Sequence, residues 1–156
     1  MSTYTVGGSS RGKTNRERGS ATFWDLAHER SEMTESQRVS SIKAGLQTIW
    51  ADAIKNAFEV SSPNMLVLMN LSSSTLERRR KSAQPLDLVA SERLDRIASV
   101  ALMAEGVFED QEAAARWMSS SNVALGGDAP VMLCETELGA RQVRRVLNAL
   151  EWGGVV

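Results

Sequence analysis

"SSPNMLVLMNLSSSTLERRRK", Ser61 to Lys81, decides how the chain folds. Ser61 is a candidate N-cap, and Pro63 suits a first helical turn, where its missing N–H leaves no bond unmade. The apolar run that follows is short, and "NLSSST" interrupts it with turn formers. From Ser74 to Lys81 a second short helix is expected, with Thr75 and Leu76 on its inner side and a cationic outer face. Helix, turn and helix come in the length and order of a helix-turn-helix. In that geometry the second helix enters the major groove. Ser72, Ser73, Ser74 and Thr75 would then sit at a helix N-terminus, where backbone donors favour a phosphate. Arg78, Arg79, Arg80 and Lys81, offset only by Glu77, would pair with phosphates or guanine edges. The same cluster is equally a solvated basic helix end, favoured there by the helix dipole. The segment alone does not separate the two.

Working outward, the remaining pattern is also helical. Upstream, "TESQ" (Thr34 to Gln37) matches a capping box. Val39, Ile42, Leu46 and Ile49 then recur at helical spacing, and Trp50, Ile54 and Phe58 continue the stripe past Gly45, where a bend or break is expected. Phe23, Trp24 and Ala27 face inward on a short first helix. Residues 1–20, rich in Gly, Ser and Thr with mostly basic charges, read as a disordered arm, either an inert tail or a DNA-contacting one. Downstream, Gln84-Pro85 is a break and Asp87 a natural N-cap. Leu94, Ile97, Ala101, Ala104 and Phe108 form the most convincing stripe, with Glu92, Arg93, Asp95 and Arg96 largely outside it. Asp110 caps a short Ala-rich helix. Thr136 caps a last helix holding Leu138, Val143, Val146, Leu147 and Leu150, which Gly153-Gly154 ends. No stretch shows strand alternation. The expected class is all-α, with roughly seven or eight helices.

The totals narrow the function. The chain has 156 residues, 42% of them hydrophobic, and a formal net charge of -1, so a nucleic-acid role must rest on local charge. One cysteine, Cys134, and one histidine, His28, give neither a disulfide nor a standard metal site, and no cofactor is expected. No apolar run approaches a bilayer span and no secretory signal is visible, so a soluble, cytoplasmic protein is expected. Gly126-Gly127 lacks the spacing and the following Lys-Ser/Thr of a phosphate loop. Cys134 has no base nearby, since His28 lies far off on an element expected to be mobile, and it reads as a small buried hydrophobe. Asp128 and Glu135 read as solvated or capping carboxylates. The chain is not expected to be an enzyme.

Several segments together resemble one family, the Xre/ParS/MbcA-type antitoxins whose toxin partners carry the RES domain. "RVSSIKAGL" (Arg38 to Leu46) resembles the family's opening helix, and Leu71 to Asp110 its recognition segment and long linking helix. "AAARWMSSSNVALGGDAPVMLCETELGARQVRRVLNALEWGGVV" (Ala113 to Val156) is similar to its C-terminal toxin-binding module, with Trp, Asn, Leu-Gly-Gly, Pro, Thr, Gly and Val at the family's intervals. The basic arm is not something the pattern supplies, and Met118 and Cys134 stand where Leu is more usual. Beside the arm over 1–20, which rests on composition alone, the resemblance implies a DNA-binding and dimerisation domain over 21–86, a linking helix over 87–109 and a toxin-binding domain over 110–156. It implies an antitoxin that silences a RES-domain, NAD-consuming toxin, the NAD belonging to the partner. It also implies autorepression by a homodimer on operator half-sites about one helical turn apart. Arg141, Arg144, Arg145, Trp152, Gly153, Gly154, Val155 and Val156 are the expected toxin contacts, with the "EWGGVV" tail covering the toxin's active site. The rival reading is a stand-alone helix-turn-helix regulator with a C-terminal dimerisation module.

Overall fold

The computed structural model describes the backbone of residues 15–153 and the side chains of residues 22–153. Among them are nine α-helices, one 3-10 turn and no strand. The order is α1 (Asn15–Ser31), α2 (Glu35–Ala44), α3 (Ile49–Ala57), α4 (Ser62–Met69), α5 (Ser73–Lys81), α6 (Leu88–Phe108), α7 (Gln111–Ser119), the 3-10 turn Val123–Leu125, α8 (Pro130–Leu133) and α9 (Glu137–Glu151). The expected all-α class holds, with more and shorter helices than the periodicity suggested.

The first helix is neither short nor preceded by an arm reaching residue 20. It starts at Asn15, inside the segment expected to be disordered; residues 1–14 lie outside the described ones. Once Phe23, Trp24 and Ala27 anchor the helix, adding residues on its N-terminal side needs no new nucleus. Those three side chains are 0%, 2% and 0% exposed. Phe23 meets Trp24 edge-on at 5.0 Å, Phe58 at 4.9 Å and Trp50 at 6.4 Å. Such pairs add about 0.5–1.5 kcal/mol each beyond their burial, which fixes α1 against α3.

The chain breaks after Gly45 rather than bending. Both halves of the Thr34–Gln37 capping box form, but α2 stops at Ala44 and Gly45 takes φ +95°. A Cβ there would lie 2.3 Å from the Leu86 carbonyl oxygen. That close pass lets the Leu86 N–H donate to the Leu46 carbonyl (2.8 Å) and the Leu46 N–H to Ser91 Oγ (2.8 Å). The continuous stripe therefore fails at both ends: Val39 and Ile49 are half exposed, Leu46 is buried in the connection, and α2 buries no residue fully.

α6 is the axis, packing against α1, α2, α4, α7 and α9. Its apolar stripe is buried at Leu94, Ile97, Ala101 and Ala104, with Phe108 partly so. Asp95 and Arg96, expected outside that stripe, are buried too, 7% and 9% exposed. Asp95 Oδ1 accepts from Arg30 Nε of α1, and Oδ2 accepts from Arg38 Nη2 of α2 at 2.8 Å. Arg96 donates twice to Glu92 (2.7 and 2.8 Å) and to the carbonyls of Cys134 (3.0 Å) and Glu135 (3.1 Å). A buried charge is tolerable only when paired and hydrogen-bonded, and both are.

Beyond α6, Asp110 caps α7, Pro130 opens α8 and Thr136 caps α9 by accepting from Gly139 N–H at 2.9 Å. Residues 120–129 close on themselves: the Gly127 N–H reaches the Asn122 carbonyl at 2.8 Å, and the Asn122 N–H reaches the Asp128 carbonyl at 3.2 Å. Gly126 and Gly127 both have positive φ. The stretch is a helix-to-helix joint.

Candidate nucleic-acid and partner-binding surfaces

The helix-turn-helix forms where the sequence places it. Ser61 caps α4, and Asn70 ends it in the left-handed region at φ 54°. The Leu71 N–H satisfies the Leu66 carbonyl, and Ser72 opens α5. Ser72 Oγ accepts from Thr75 N–H at 3.2 Å, donates to Thr75 Oγ1 at 2.9 Å and lies 3.2 Å from Ser74 Oγ. Ser72, Ser73 and Ser74 are exposed, so a hydroxyl-bearing helix N-terminus faces outward with its amides. Leu76, 8% exposed, pins the helix from below.

The four cations of α5 are not equivalent. Arg79 turns inward and donates from Nη1 to the Pro85 carbonyl at 2.6 Å. Arg80 bridges Asp52 of α3 (2.5 Å) and Glu77 (3.1 Å) at the mouth of a cleft between α3, α4 and α5. Arg78 and Lys81 are exposed and meet no acid among the described residues. Local charge on this helix therefore comes from two outward cations and one exchangeable surface pair, which such exposure makes weak.

The C-terminal surface is carried by α9. Its inner face is closed: Ala140, Val143 and Leu147 are each 0% exposed. Arg144 is held by Glu137 at 2.7 Å. Arg141 and Arg145 are exposed with no acid beside them among the described residues. Trp152, 86% exposed, follows the helix, and Gly153 turns the chain with φ +72°. Gly154, Val155 and Val156 lie outside the described residues. Leu138, which the sequence places on this last helix, is 63% exposed. It lies on the outer face of the helix, while Gly139 and Ala140 of the same first turn are buried. Val123, 94% exposed at the 3-10 turn beside α9, was not singled out by the sequence, and an isolated Val in a loop gives no periodic signal.

Catalytic alternatives gain no geometry. Cys134 is 0% exposed and its thiol points at the Pro130 carbonyl. Burial pushes it up to about 12, against smaller lowering from Arg144 and Arg96, so it is a thiol at neutral pH. His28 does not sit on a loose element: its Nε2 lies 2.8 Å from Glu105 Oε1, joining α1 to α6. No group of three or more metal-ligating side chains occurs among the described residues, and none of their helices is long and apolar enough to cross a membrane.

Two family models match this arrangement. Residues 37–99 match the antitoxin Xre-like helix-turn-helix domain, and residues 103–153 match the antitoxin Xre/MbcA/ParS C-terminal toxin-binding domain. Both matches run into α6, so one continuous helix serves both. An antitoxin Xre of Yersinia enterocolitica is 33% identical over 116 residues, 74% of this chain and 78% of that protein. An antitoxin Xre of Pseudomonas putida is 37% identical over 79 residues, 51% of this chain, and the chain spans only 50% of that relative's length. With a helix-turn-helix on one side of α6 and a toxin-binding fold on the other, the chain belongs to the Xre/MbcA/ParS family of antitoxins.

Proposed function

We propose that this chain neutralises a RES-domain toxin that consumes NAD, and that it represses its own operon. The C-terminal module, residues 110–156, covers the toxin's active site, with Arg141, Arg145, Trp152 and the segment from Gly153 to Val156 at the contact. The observation that carries this reading is Trp152, which stands 86% exposed at the end of a helix that carries two unpaired arginines and whose inner face is already packed. Trp and Arg are the side chains most enriched among those that carry binding energy at protein interfaces. NAD belongs to the toxin, and the chain itself takes no cofactor and no small-molecule substrate. Residues 21–86 bind operator DNA through Ser72 to Lys81 as a homodimer, α6 links the two functions, and the protein works in the cytoplasm alongside its target.

The test is co-expression with a RES-domain toxin in bacteria, following growth and cellular NAD. Growth and NAD should recover with the full chain and fall again when it stops at Leu150. Unrelieved toxicity beside the full chain, with operator binding intact, would leave a stand-alone regulator and sink the antitoxin mechanism.

A further inference from the structure

The outer face of α9 specifies what it docks against. Leu138, Arg141, Arg145, Asn148 and Trp152 follow one another at steps of three and four, and all five are exposed. At 3.6 residues per turn they fall within an arc of about 80°, and at 1.5 Å per residue they span about 21 Å. The packed stripe of Ala140, Val143 and Leu147 lies on the opposite side. Since that stripe already joins α9 to the body of the fold, the outer one is not spare core. Its order is apolar, cationic, cationic, polar, apolar. Anchors at these helical intervals are how a helix is read by a groove.

We infer that this stripe seats in a groove on the toxin that is acidic at its centre and has an apolar pocket at each end; the inference rests on the antitoxin reading above. Charge complementarity selects the occupant. Arg141 and Arg145 have no acid beside them, whereas Arg144, off the stripe, is already held by Glu137. Unlike α5, whose cations stand beside an exposed helix N-terminus with three serine hydroxyls, this stripe offers duplex phosphates two cations and nothing else that donates except Asn148. Leu138 and Trp152 would meet phosphates with apolar surface. A second copy of the chain fits no better, because antiparallel apposition of the stripe sets arginine against arginine. Beside the stripe, Ala124, Leu125 and Gly126 line a cleft with Gln142, Arg145 and Val146.

The experiment captures a tagged, co-expressed RES-domain toxin with the full chain and three variants. The double changes Arg141→Glu with Arg145→Glu, and Leu138→Ala with Trp152→Ala, should each weaken capture roughly thirtyfold or more. Arg116→Glu, on the exposed side of α7, should leave it unchanged. The thermal midpoint should not move for any of them, since every altered side chain is exposed; Arg141→Gln with Arg145→Gln serves if charge reversal perturbs folding. Wild-type affinity should fall with added salt, and the Gln pair should flatten that dependence. Full capture by both double variants beside a binding wild type overturns the groove and leaves the antitoxin reading standing. No capture by the wild type overturns both. Loss of duplex binding with toxin capture intact assigns the stripe to nucleic acid and overturns the inference.

Discussion

Arg30 of α1 and Asp95 of α6 form a buried ion pair, Nε to Oδ1 at 2.5 Å, with side chains 6% and 10% exposed. Arg38 of α2 closes the triad from the more exposed side at 2.8 Å, and the Asp95 hydrogen bond raises its pKa against the lowering by burial. Removing one partner of a buried pair costs about 3–5 kcal/mol, because the other charge is left without compensation. Asp95→Ala strands two guanidiniums, so urea unfolding should show a loss at the upper end of that range. Asp95→Leu should be no better, since Arg30 stays buried. A loss under about 1 kcal/mol would mean the triad is solvated and weak.

The triad marks where the sequence stops being legible. Caps and breaks were readable because their chemistry is local: Thr34 with Gln37, Ser61, Asp87, Asp110 and Thr136. The helix-turn-helix and the inner face of α9 were readable for the same reason. Asp95 and Arg96 were not. Their partners lie on α1, α2 and the α8–α9 joint, and a charge beside an apolar stripe looks solvated until those neighbours are in place. Leu138 could be assigned to the last helix but not to a face: it turns outward while Gly139 and Ala140 of the same turn are buried. The outward pair Arg78 and Lys81 could not be told from Arg79 and Arg80, because Pro85 and Asp52 reach them only in the fold.

Gly139 aims α9. It is helical, so alanine there would gain about 1 kcal/mol of helix propensity. A Cβ, however, would sit 2.0 Å from the Leu133 carbonyl oxygen and 3.0 Å from its carbon, both backbone atoms that cannot swing away. The clash wins. Gly139→Ala should lower stability by about 2 kcal/mol or more and, by shifting α9, weaken toxin capture as well. A variant as stable as wild type would show that the α8–α9 joint has slack.

Cys134 gives a pH dependence with a defined sign. Its folded pKa, near 12, lies above the ordinary 9.0. The folded state therefore holds the thiol proton more tightly than the unfolded state does. That contribution is fully present below about pH 9 and is lost as pH rises toward 12. Wild type should destabilise more steeply than Cys134→Ala across this window, on top of a modest cavity cost in the variant at pH 7. At pH 8 the native thiol should resist a thiol-reactive chromophore and react only at the rate of opening. Rapid labelling of the folded chain would contradict its burial.

The unequal cations of α5 separate DNA binding from stability. Arg78 and Lys81 face outward, so Arg78→Ala with Lys81→Ala should weaken binding to the promoter DNA of its own gene. The loss should be nearly uniform across sequences, and the salt slope should fall by about one per cation if both contact phosphate. Arg79→Ala should act differently. It removes the bond to the Pro85 carbonyl, a charged donor worth about 1.5–3 kcal/mol, so stability drops before affinity does. Arg80 lies between: its pair with Asp52 is about one-third to one-half exposed and worth at most about 1 kcal/mol. Asp52→Ala should cost little stability yet strengthen DNA binding, by releasing Arg80 and deleting a nearby negative charge. Fluorescence anisotropy on promoter duplex at several salt concentrations, read beside thermal melts, checks all three. If Arg79→Ala cost more affinity than the Arg78–Lys81 pair at equal stability, the reading face of α5 would have to be turned toward Pro85.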